Sequence, residues 1–248
     1  MLQGILNSLP QVEKCVIILS GGMDSTIAMR IAVKKYGSKN VFALTFDYGQ
    51  KQKIEIEKAV ESTKILGVNH FILDLSALNQ ISKGFSANVD QSISMPTIQD
   101  VLGDPSPKTE VPNRNMIMLS LAAAFAQTRK IPIIICGLQV HDEYSYWDTS
   151  QSFVNSINDV LSQNRMTKVK VIAPFSHLSK KQELNILQQI DGNVELLNHT
   201  ITCYNPNDKG ESCGRCPSCS ERIKNFADMS LKDMIPYSIN IPWERIIV

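Results

Sequence analysis

The sequence has no excess of charge of either sign and no long apolar run. Its 25 Lys and Arg residues balance 24 Asp and Glu residues over 248 residues. Broad, sequence-independent binding of nucleic acid needs a positive field, so this balance argues against that class of function and leaves only a local basic patch open. A membrane-spanning helix needs about 18 consecutive apolar residues, and the sequence contains no such stretch.

Cysteine is scarce and unevenly placed. Of the six cysteines, four lie between Cys203 and Cys219. The N-terminal residues lack the basic start and apolar run of a secretory signal, so we expect a cytoplasmic protein. Clustered cysteines in such a protein indicate metal binding rather than a disulfide framework.

Short apolar segments alternate with amphipathic segments over most of the chain. The predicted strands are 16–19, 41–46, 71–75, 133–136 and 169–172, and the predicted helices are 24–36, 51–66, 114–129, 153–161 and 180–190. This alternation predicts an α/β fold, a doubly wound parallel sheet with helices on both faces. Ligands of such folds bind at the carboxyl ends of the strands.

Two parts of the chain depart from this alternation. Residues 76–111 are polar, have no clear periodicity and contain three prolines, which favours a variable lid over the active site. The cysteine-rich end is expected to form a small metal-binding subdomain. The predicted division is therefore 1–198 for the nucleotide-binding domain and 199–248 for the metal-binding region and tail.

A phosphate-binding loop is predicted directly after the first strand. Its sequence is Ser-Gly-Gly-Met-Asp-Ser-Thr, from Ser20 to Thr26. The glycines allow the backbone to approach an anion, and the following helix N-terminus supplies free N–H groups and a partial positive charge. The loop lacks the lysine and the spacing of a Walker loop. It also lacks the spacing of a dinucleotide-binding loop. The alternative, a capped helix after a tight turn, is the weaker interpretation.

The turn after the second strand, Thr45 to Gln50, is where a doubly wound fold contacts the sugar or base of a nucleotide. Asp47 and Tyr48 are therefore candidate nucleotide-binding residues, with a purely structural turn as the alternative.

The cysteine cluster has the spacing C-x9-C-x2-C-x2-C, formed by Cys203, Cys213, Cys216 and Cys219. Four thiolates suit a structural zinc ion with tetrahedral geometry. An iron–sulfur cluster is the alternative. His199 could replace one thiolate, although four cysteines already suffice.

The loop sequence resembles that of the N-type ATP pyrophosphatases, which release pyrophosphate while AMP is transferred to the substrate. Further motifs, in order, resemble the 7-cyano-7-deazaguanine synthase (QueC) family. They are Thr-Phe-Asp-Tyr-Gly-Gln at 45–50, Val-Pro-Asn-Arg-Asn at 111–115, Leu-Ser-Lys at 178–180 and Thr-Cys-Tyr at 202–204. The resemblance extends from about Lys14 to Arg222.

The resemblance implies adenylation of 7-carboxy-7-deazaguanine and its conversion to the nitrile with ammonia, by a homodimer that uses ATP, Mg²⁺ and a structural zinc. Asp24, Ser25, Arg114 and Lys180 would be the catalytic residues, of which the two cations neutralise the leaving phosphates. The residues implied to bind ATP are Leu19, Ser20, Gly21, Gly22, Met23, Asp24, Ser25, Thr26, Asp47 and Tyr48.

One loop departs from the family pattern. Between Glu143 and Phe153 one residue is missing, as are the family's Gly, Pro, Cys and Arg. The side chains implied to bind substrate are Tyr144, Ser145, Trp147 and Asp148. The aromatic rings of Tyr144, Tyr146 and Trp147 could stack on a flat base. An aromatic core cluster is the alternative. A second departure is Gln182, where the family usually has Glu.

The altered loop leaves other functions open. A relative of the family could join the activated deazaguanine to an amine of a partner protein in anti-phage defence. A tRNA sulfur-transferase would share the loop but needs a reactive cysteine, whereas Cys15 and Cys136 are expected to be core residues. A nucleotide-binding module without catalysis is the remaining class.

Overall fold

A computed structural model describes residues 1–96, 108–139 and 146–247 of the chain. Its centre is a five-stranded sheet of order β3-β2-β1-β4-β5 in which every pair of neighbours is parallel. The strands are β1 (Cys15–Ile18), β2 (Val41–Asp47), β3 (Asn69–Asp74), β4 (Ile133–Cys136) and β5 (Lys170–Ile172). The prediction of a doubly wound parallel sheet is confirmed.

Helices cover both faces of this sheet. They are α1 (Leu2–Ser8), α2 (Met23–Tyr36), α3 (Ile54–Leu66), α4 (Ser76–Ser82), α5 (Arg114–Thr128), α6 (Gln151–Ser162), α7 (Lys180–Asp191), α8 (Pro217–Asp228) and α9 (Trp243–Ile246). Short 3-10 turns occupy Ser38–Asn40, Trp147–Thr149 and Glu195–His199. No described helix combines the length and the apolar character needed to cross a membrane.

The central strands are apolar because both of their faces are covered. Val16 packs in the core on the α5 side of the sheet, and its neighbour Ile17 packs in the core on the α2 side. Successive side chains of a strand point to opposite faces, so a strand buried on both sides has no polar positions. β4 follows the same rule, and all four of its residues are buried.

Helix α7 begins with a reciprocal cap that fixes the position of Lys180, its first residue. Ser179 Oγ accepts a hydrogen bond from the backbone N–H of Gln182, and the Gln182 side chain accepts one from the Ser179 N–H. Glutamine fills this capping role as well as glutamate does. The departure from the family pattern at Gln182 is therefore compatible with the same helix start.

The segment predicted as a lid contains more structure than expected. Its first residues form α4, and Ala87 N–H donates to Lys108 O at 2.7 Å, which ties its two described ends together. A helix of seven residues with little periodicity gives a weak sequence signal. Residues 97–107, the centre of the predicted lid, lie outside the described residues.

Candidate active site

The chain reverses its direction of travel across the sheet between β1 and β4, which are neighbours in the sheet. Such a switch point leaves a crevice at the carboxyl ends of the two strands. A cavity of about 380 Å³ lies here, lined by the ends of both strands, by the start of α5 and by the start of α7. That volume lies within the range of small-molecule sites.

The predicted phosphate loop forms the floor of this cavity. Ser25 Oγ accepts from the backbone N–H of Ser20 at 3.1 Å and lies 3.0 Å from Ser20 Oγ. The N–H of Gly22 donates to Ser20 Oγ at 3.2 Å. These bonds curl the loop around the N-terminus of α2.

Two glycines allow the loop to pack this closely. Gly21 has φ +84°, and a Cβ at this position would lie 2.0 Å from the carbonyl oxygen of Glu55 in α3. Gly137, which follows β4, lies against the start of α2, where a Cβ would approach the backbone N of Ser25 to 2.9 Å. Neither position tolerates a larger residue without movement of backbone.

Lys180 reaches the loop from α7. Its Nζ lies 2.7 Å from Asp24 Oδ2 and 3.6 Å from Glu221 Oε2, and its side chain is only 10% exposed. Burial alone would lower the pKa of Lys180, but the charges of Asp24 and Glu221 outweigh it and raise the pKa. The lysine is therefore a fixed positive charge in the wall of the cavity.

Arg114 supplies a second positive charge from the first residue of α5. Its Nη1 donates to the Tyr48 hydroxyl at 3.4 Å, and its guanidinium lies 5.9 Å from the centroid of the Tyr48 ring. Burial opposes the charge of Arg114, but Tyr48 and Asp148 raise its pKa. Leu19, Ser20, Gly22, Met23, Asp24, Ser25, Tyr48, Arg114 and Lys180 are the predicted site residues that line the cavity.

Three of the residues predicted to bind ATP do not line the cavity. Asp47 does not line the cavity. Its Oδ1 accepts a hydrogen bond from the N–H of Gly49, as expected for the alternative, a purely structural turn. The hydroxyl of Thr26 is buried, with no hydrogen-bond partner among the described residues. Gly21 faces α3 rather than the cavity.

Trp147, predicted to stack on a flat base, lies outside the cavity. Its side chain is 51% exposed and packs edge-on against Phe153 with a centroid distance of 5.4 Å, outside the cavity lining. The neighbouring Tyr146 lines the cavity instead, with its hydroxyl 2.6 Å from Thr109 Oγ1. The sequence placed aromatic residues in this loop but could not distinguish which ring turns inward.

Asp148 is buried and holds the start of α5. Its Oδ2 accepts from the Asn115 N–H at 3.2 Å, and its carbonyl oxygen accepts from Asn115 Nδ2 at 3.1 Å. Burial raises the pKa of this carboxyl group. Asp148 does not line the cavity but contacts the start of the helix that carries Arg114, and its role in binding substrate stays a prediction. Tyr144 and Ser145 lie outside the described residues.

Several side chains of the cavity were missed by the sequence analysis. They are Gln50, Gln52, Glu55, Asn88, Thr109, Asn115, Gln139, Thr202, Tyr204, Ser218 and Glu221. Most belong to loops that only tertiary structure brings to the strand ends. Glu55 lies in the predicted helix 51–66, but a glutamate in an amphipathic helix gives no signal of its own for a site.

The four predicted metal ligands meet in one cluster. The sulfurs of Cys203, Cys213, Cys216 and Cys219 all lie within 4.8 Å of one another, and those of Cys213 and Cys219 are 3.9 Å apart. Zinc–sulfur bonds of about 2.3 Å in a tetrahedron place the sulfurs about 3.8 Å apart. Backbone N–H groups of Cys213 and Asn205 donate to the sulfur of Cys203, as expected of a thiolate. The residues present therefore fit zinc.

His199 does not join this cluster. Its Nδ1 lies 3.4 Å from Glu61 Oε2, and its side chain is 44% exposed. The segments that carry the cysteines also form one wall of the cavity, through Thr202, Tyr204, Ser218 and Glu221. The cysteine cluster therefore supports the site as well as the C-terminal region.

The remaining two cysteines are poorly suited to nucleophilic chemistry. Cys15 and Cys136 are both buried, and burial raises the pKa of each thiol to about 12. A reactive cysteine needs a lowered pKa and access to substrate. Cys136 lies at the cavity wall, where its thiol faces Ile172 O at 3.6 Å.

The fold and the site together define an α/β protein with a parallel sheet, a glycine-containing loop that lacks the Walker lysine, and a four-cysteine cluster beside the wall of its cavity. Comparison with known families makes the class specific. The sequence profile of the family described as "Queuosine biosynthesis protein QueC" matches residues 14–230, and the chain belongs to this family.

Individual relatives agree with this result. The chain is 39% identical over 227 residues to the 7-cyano-7-deazaguanine synthase 1 of Colwellia psychrerythraea, covering 91% of this chain and 99% of the relative. It is 40% identical over 228 residues to the 7-cyano-7-deazaguanine synthase of Psychromonas ingrahamii, covering 91% of this chain and 98% of that relative. The solved structure of NMN synthetase from Francisella tularensis aligns with a TM-score of 0.47 at 16% identity, covering 99% of this chain and 89% of that one.

Proposed function

We propose that this protein is a carbon–nitrogen ligase that converts 7-carboxy-7-deazaguanine to 7-cyano-7-deazaguanine with ATP and ammonia, releasing AMP and pyrophosphate. One observation carries the proposal: the phosphate loop, Lys180 and Arg114 all line a single cavity at the switch point of the sheet. Its relatives over nine-tenths of the chain are named as synthases of this nitrile.

In the first step the acid's carboxylate oxygen would attack the α-phosphorus of ATP, and pyrophosphate would leave. The N-terminus of α2 would bind the leaving phosphates, as helix N-termini do. Lys180, held by Asp24 at 2.7 Å, would neutralise the charge that develops on them. Ser20 and Ser25 would add hydroxyl groups from the same loop.

The second step would form the carbon–nitrogen bond. Ammonia would add to the acyl carbon and AMP would leave, giving an amide. A second adenylation, now of the amide oxygen, followed by loss of AMP and a proton, would give the nitrile. Arg114 would stabilise the negative charge on the AMP phosphate. Tyr48, Tyr146 and Tyr204 line the same cavity and offer apolar surfaces to a flat base.

Magnesium would enter with ATP, whose phosphate charges it neutralises when bound. The carboxylates of Asp24 and Glu221 already face Lys180. We therefore assign no protein ligand to this ion. Zinc would be held by the cysteine cluster, in a structural role. The division of the chain at residue 198, a homodimeric state, a cytoplasmic location and the role of 76–111 as a lid stay predictions.

The first step can be tested with two adjacent lysines of α7. Lys180 faces the loop, whereas Lys181 is exposed. We expect Lys180→Ala to lower the rate of pyrophosphate release by about 100-fold or more, the usual cost of removing one charge-stabilising group. Lys181→Ala should retain the parent rate. The assay follows AMP and pyrophosphate with and without 7-carboxy-7-deazaguanine.

The outcome that contradicts the proposal is equally specific. Release of ADP and phosphate, or the same pyrophosphate release without the acid, would show that the cavity performs another reaction. Equal losses in both lysine variants would show that Lys180 contributes only to folding.

A further inference from the structure

Besides Asp24 and Glu221, a third acidic side chain lies near Lys180, and it is completely buried. Glu183 follows Lys180 by one turn of α7, and none of its surface is exposed. Gln139, three residues after β4, donates from Nε2 to Glu183 Oε1 at 2.6 Å. Buried carboxyl groups are costly unless they are paired or neutral, and the roles proposed above do not account for this one.

One carboxyl oxygen of Asp24 and one of Glu183 lack a hydrogen-bond donor. Asp24 Oδ1 and Glu183 Oε2 are both buried, and neither finds a donor in the described part of the chain. After burial, the charge of Asp24 and a side-chain hydrogen bond with Asp24 raise the pKa of Glu183, so the two carboxyl groups are neighbours. A pair of ionised carboxylates can only accept hydrogen bonds and would repel, whereas one proton between them satisfies both oxygens.

The surrounding charges indicate which residue holds that proton. The charged groups that face Glu183 are Asp24, Lys180 and Glu221. Lys180 donates a hydrogen bond to Asp24, not to Glu183. Glu183 Oε1 accepts a hydrogen bond from the neutral amide of Gln139. Burial, followed by the charge of Asp24, raises the pKa of Glu183 well above its ordinary value, and the charge of Lys180 opposes this rise.

We propose that Glu183 is a protonated positioning residue that donates a hydrogen bond to Asp24 and thereby holds the Asp24–Lys180 pair in place for ATP. Asp24 then accepts from Glu183 on one oxygen and from Lys180 on the other. The inference rests on the proposed function only in taking this loop as the ATP site. Loss of the proton places a second negative charge against Asp24, which weakens ATP binding as pH rises through the pKa of Glu183.

The test compares Glu183→Gln with Glu183→Ala. Glutamine keeps the shape and a donor but cannot ionise. We expect Glu183→Gln to bind ATP within about threefold of the parent at neutral pH and to lack the parent's loss of affinity at alkaline pH. Glu183→Ala should bind ATP about tenfold or more weakly, since it removes a hydrogen bond to a charged group. The exposed Glu195→Gln is the matched control and should keep the parent's pH profile.

Infrared spectroscopy gives a readout without any ligand. The difference spectrum of the parent minus Glu183→Gln should contain the carbonyl stretch of a protonated carboxylic acid at neutral pH, and the difference spectrum of the parent minus Glu195→Gln should not. The inference is wrong if the first difference spectrum lacks that band, or if Glu183→Gln binds ATP as poorly as Glu183→Ala. It is also wrong if the parent and Glu183→Gln lose affinity equally as pH rises.

These outcomes are separable from the fate of the proposed function. ATP affinity and the infrared band are both measured without the deazaguanine acid, so a failure of the acid to stimulate pyrophosphate release leaves them unchanged. If Glu183→Ala does not fold, the comparison of the parent with the isosteric Glu183→Gln still decides the question.

Discussion

Glu55 shows how the environment of a single residue sets the charge of the cavity. Its side chain lines the cavity on the side of Arg114, with which it interacts electrostatically. Burial raises the pKa of Glu55 to about 7, and the positive charge of Arg114 opposes this rise only in part. Glu55 therefore changes its charge near neutral pH, where most carboxyl groups are already ionised.

This displaced pKa predicts a pH dependence of stability. A carboxyl group with an ordinary pKa of 4.5 that rises to about 7 on folding makes the protein lose stability as pH increases between those values. We expect Glu55→Gln to remove about 2 kcal/mol of that loss, since one pKa unit corresponds to about 1.4 kcal/mol. Urea unfolding at pH 5 and pH 8 measures it.

The matched control for this experiment is Glu57→Gln, an exposed residue in the same first turn of α3. It should unfold with the parent's pH dependence. If Glu55→Gln also keeps that dependence, then Glu55 is already ionised at pH 5 in the folded protein and the argument from burial is wrong.

Among the elements, the buried strands could be predicted because their pattern is local. β1 and β4 are continuous apolar runs, and the residues that end them carry the loops of the site. The short α1, α4 and α9 were not predicted, because seven or fewer residues give little periodicity. α8 was not predicted either, since its start coincides with the cysteine ligands and was interpreted only as a metal site.

The cysteine-bearing elements carry a prediction of their own. Because Thr202, Tyr204 and Ser218 line the cavity, loss of the metal should deform the cavity wall as well as the C-terminal region. We expect Cys216→Ser to lose zinc and to bind ATP at least about tenfold more weakly, since structural zinc contributes folding free energy. Elemental analysis and ATP titration measure the two effects.

Cys15→Ala is the control, because Cys15 is buried in β1, outside the cluster. It should retain the metal and ATP binding. Purified protein that contains iron and sulfide would exclude zinc. Full ATP affinity in Cys216→Ser without metal would show that the wall does not depend on the cluster.

At the scale of the whole molecule, a buried ion pair joins the C-terminal region to the body of the protein. Arg222 in α8 is 1% exposed and donates to both carboxylate oxygens of Asp233, at 2.7 and 3.1 Å. It also donates to Thr200 Oγ1 and to the carbonyl oxygen of Leu197, which follow α7 in the chain. One side chain thus connects three segments.

Removing this arginine should destabilise the protein strongly. Arg222→Ala leaves the buried Asp233 without its partner, which costs about 3–5 kcal/mol. The exposed Lys224→Ala on the same helix should change stability by less than about 0.5 kcal/mol. Denaturant unfolding compares the two, and equal stabilities would show that the ion pair contributes nothing net.

The site residues that could be predicted from the sequence are those that belong to a recognisable motif. Ser20, Asp24, Arg114 and Lys180 were predicted from their motifs, and the structure places all four at one cavity. Gln139 and Glu183 were not, since their importance comes from contacts between segments distant in sequence. Of the aromatic residues predicted to stack, Tyr146 lines the cavity and Trp147 does not, since the sequence of an irregular loop does not specify which ring faces inward.

The central claim is tested most directly by the identity of the product. Protein incubated with 7-carboxy-7-deazaguanine, ATP, Mg²⁺ and ¹⁵N-labelled ammonia should yield 7-cyano-7-deazaguanine that carries the label, detected by mass spectrometry, with AMP and pyrophosphate released. Accumulation of only the acyl-adenylate or the amide, with no labelled nitrile from protein that binds ATP normally, would contradict the account.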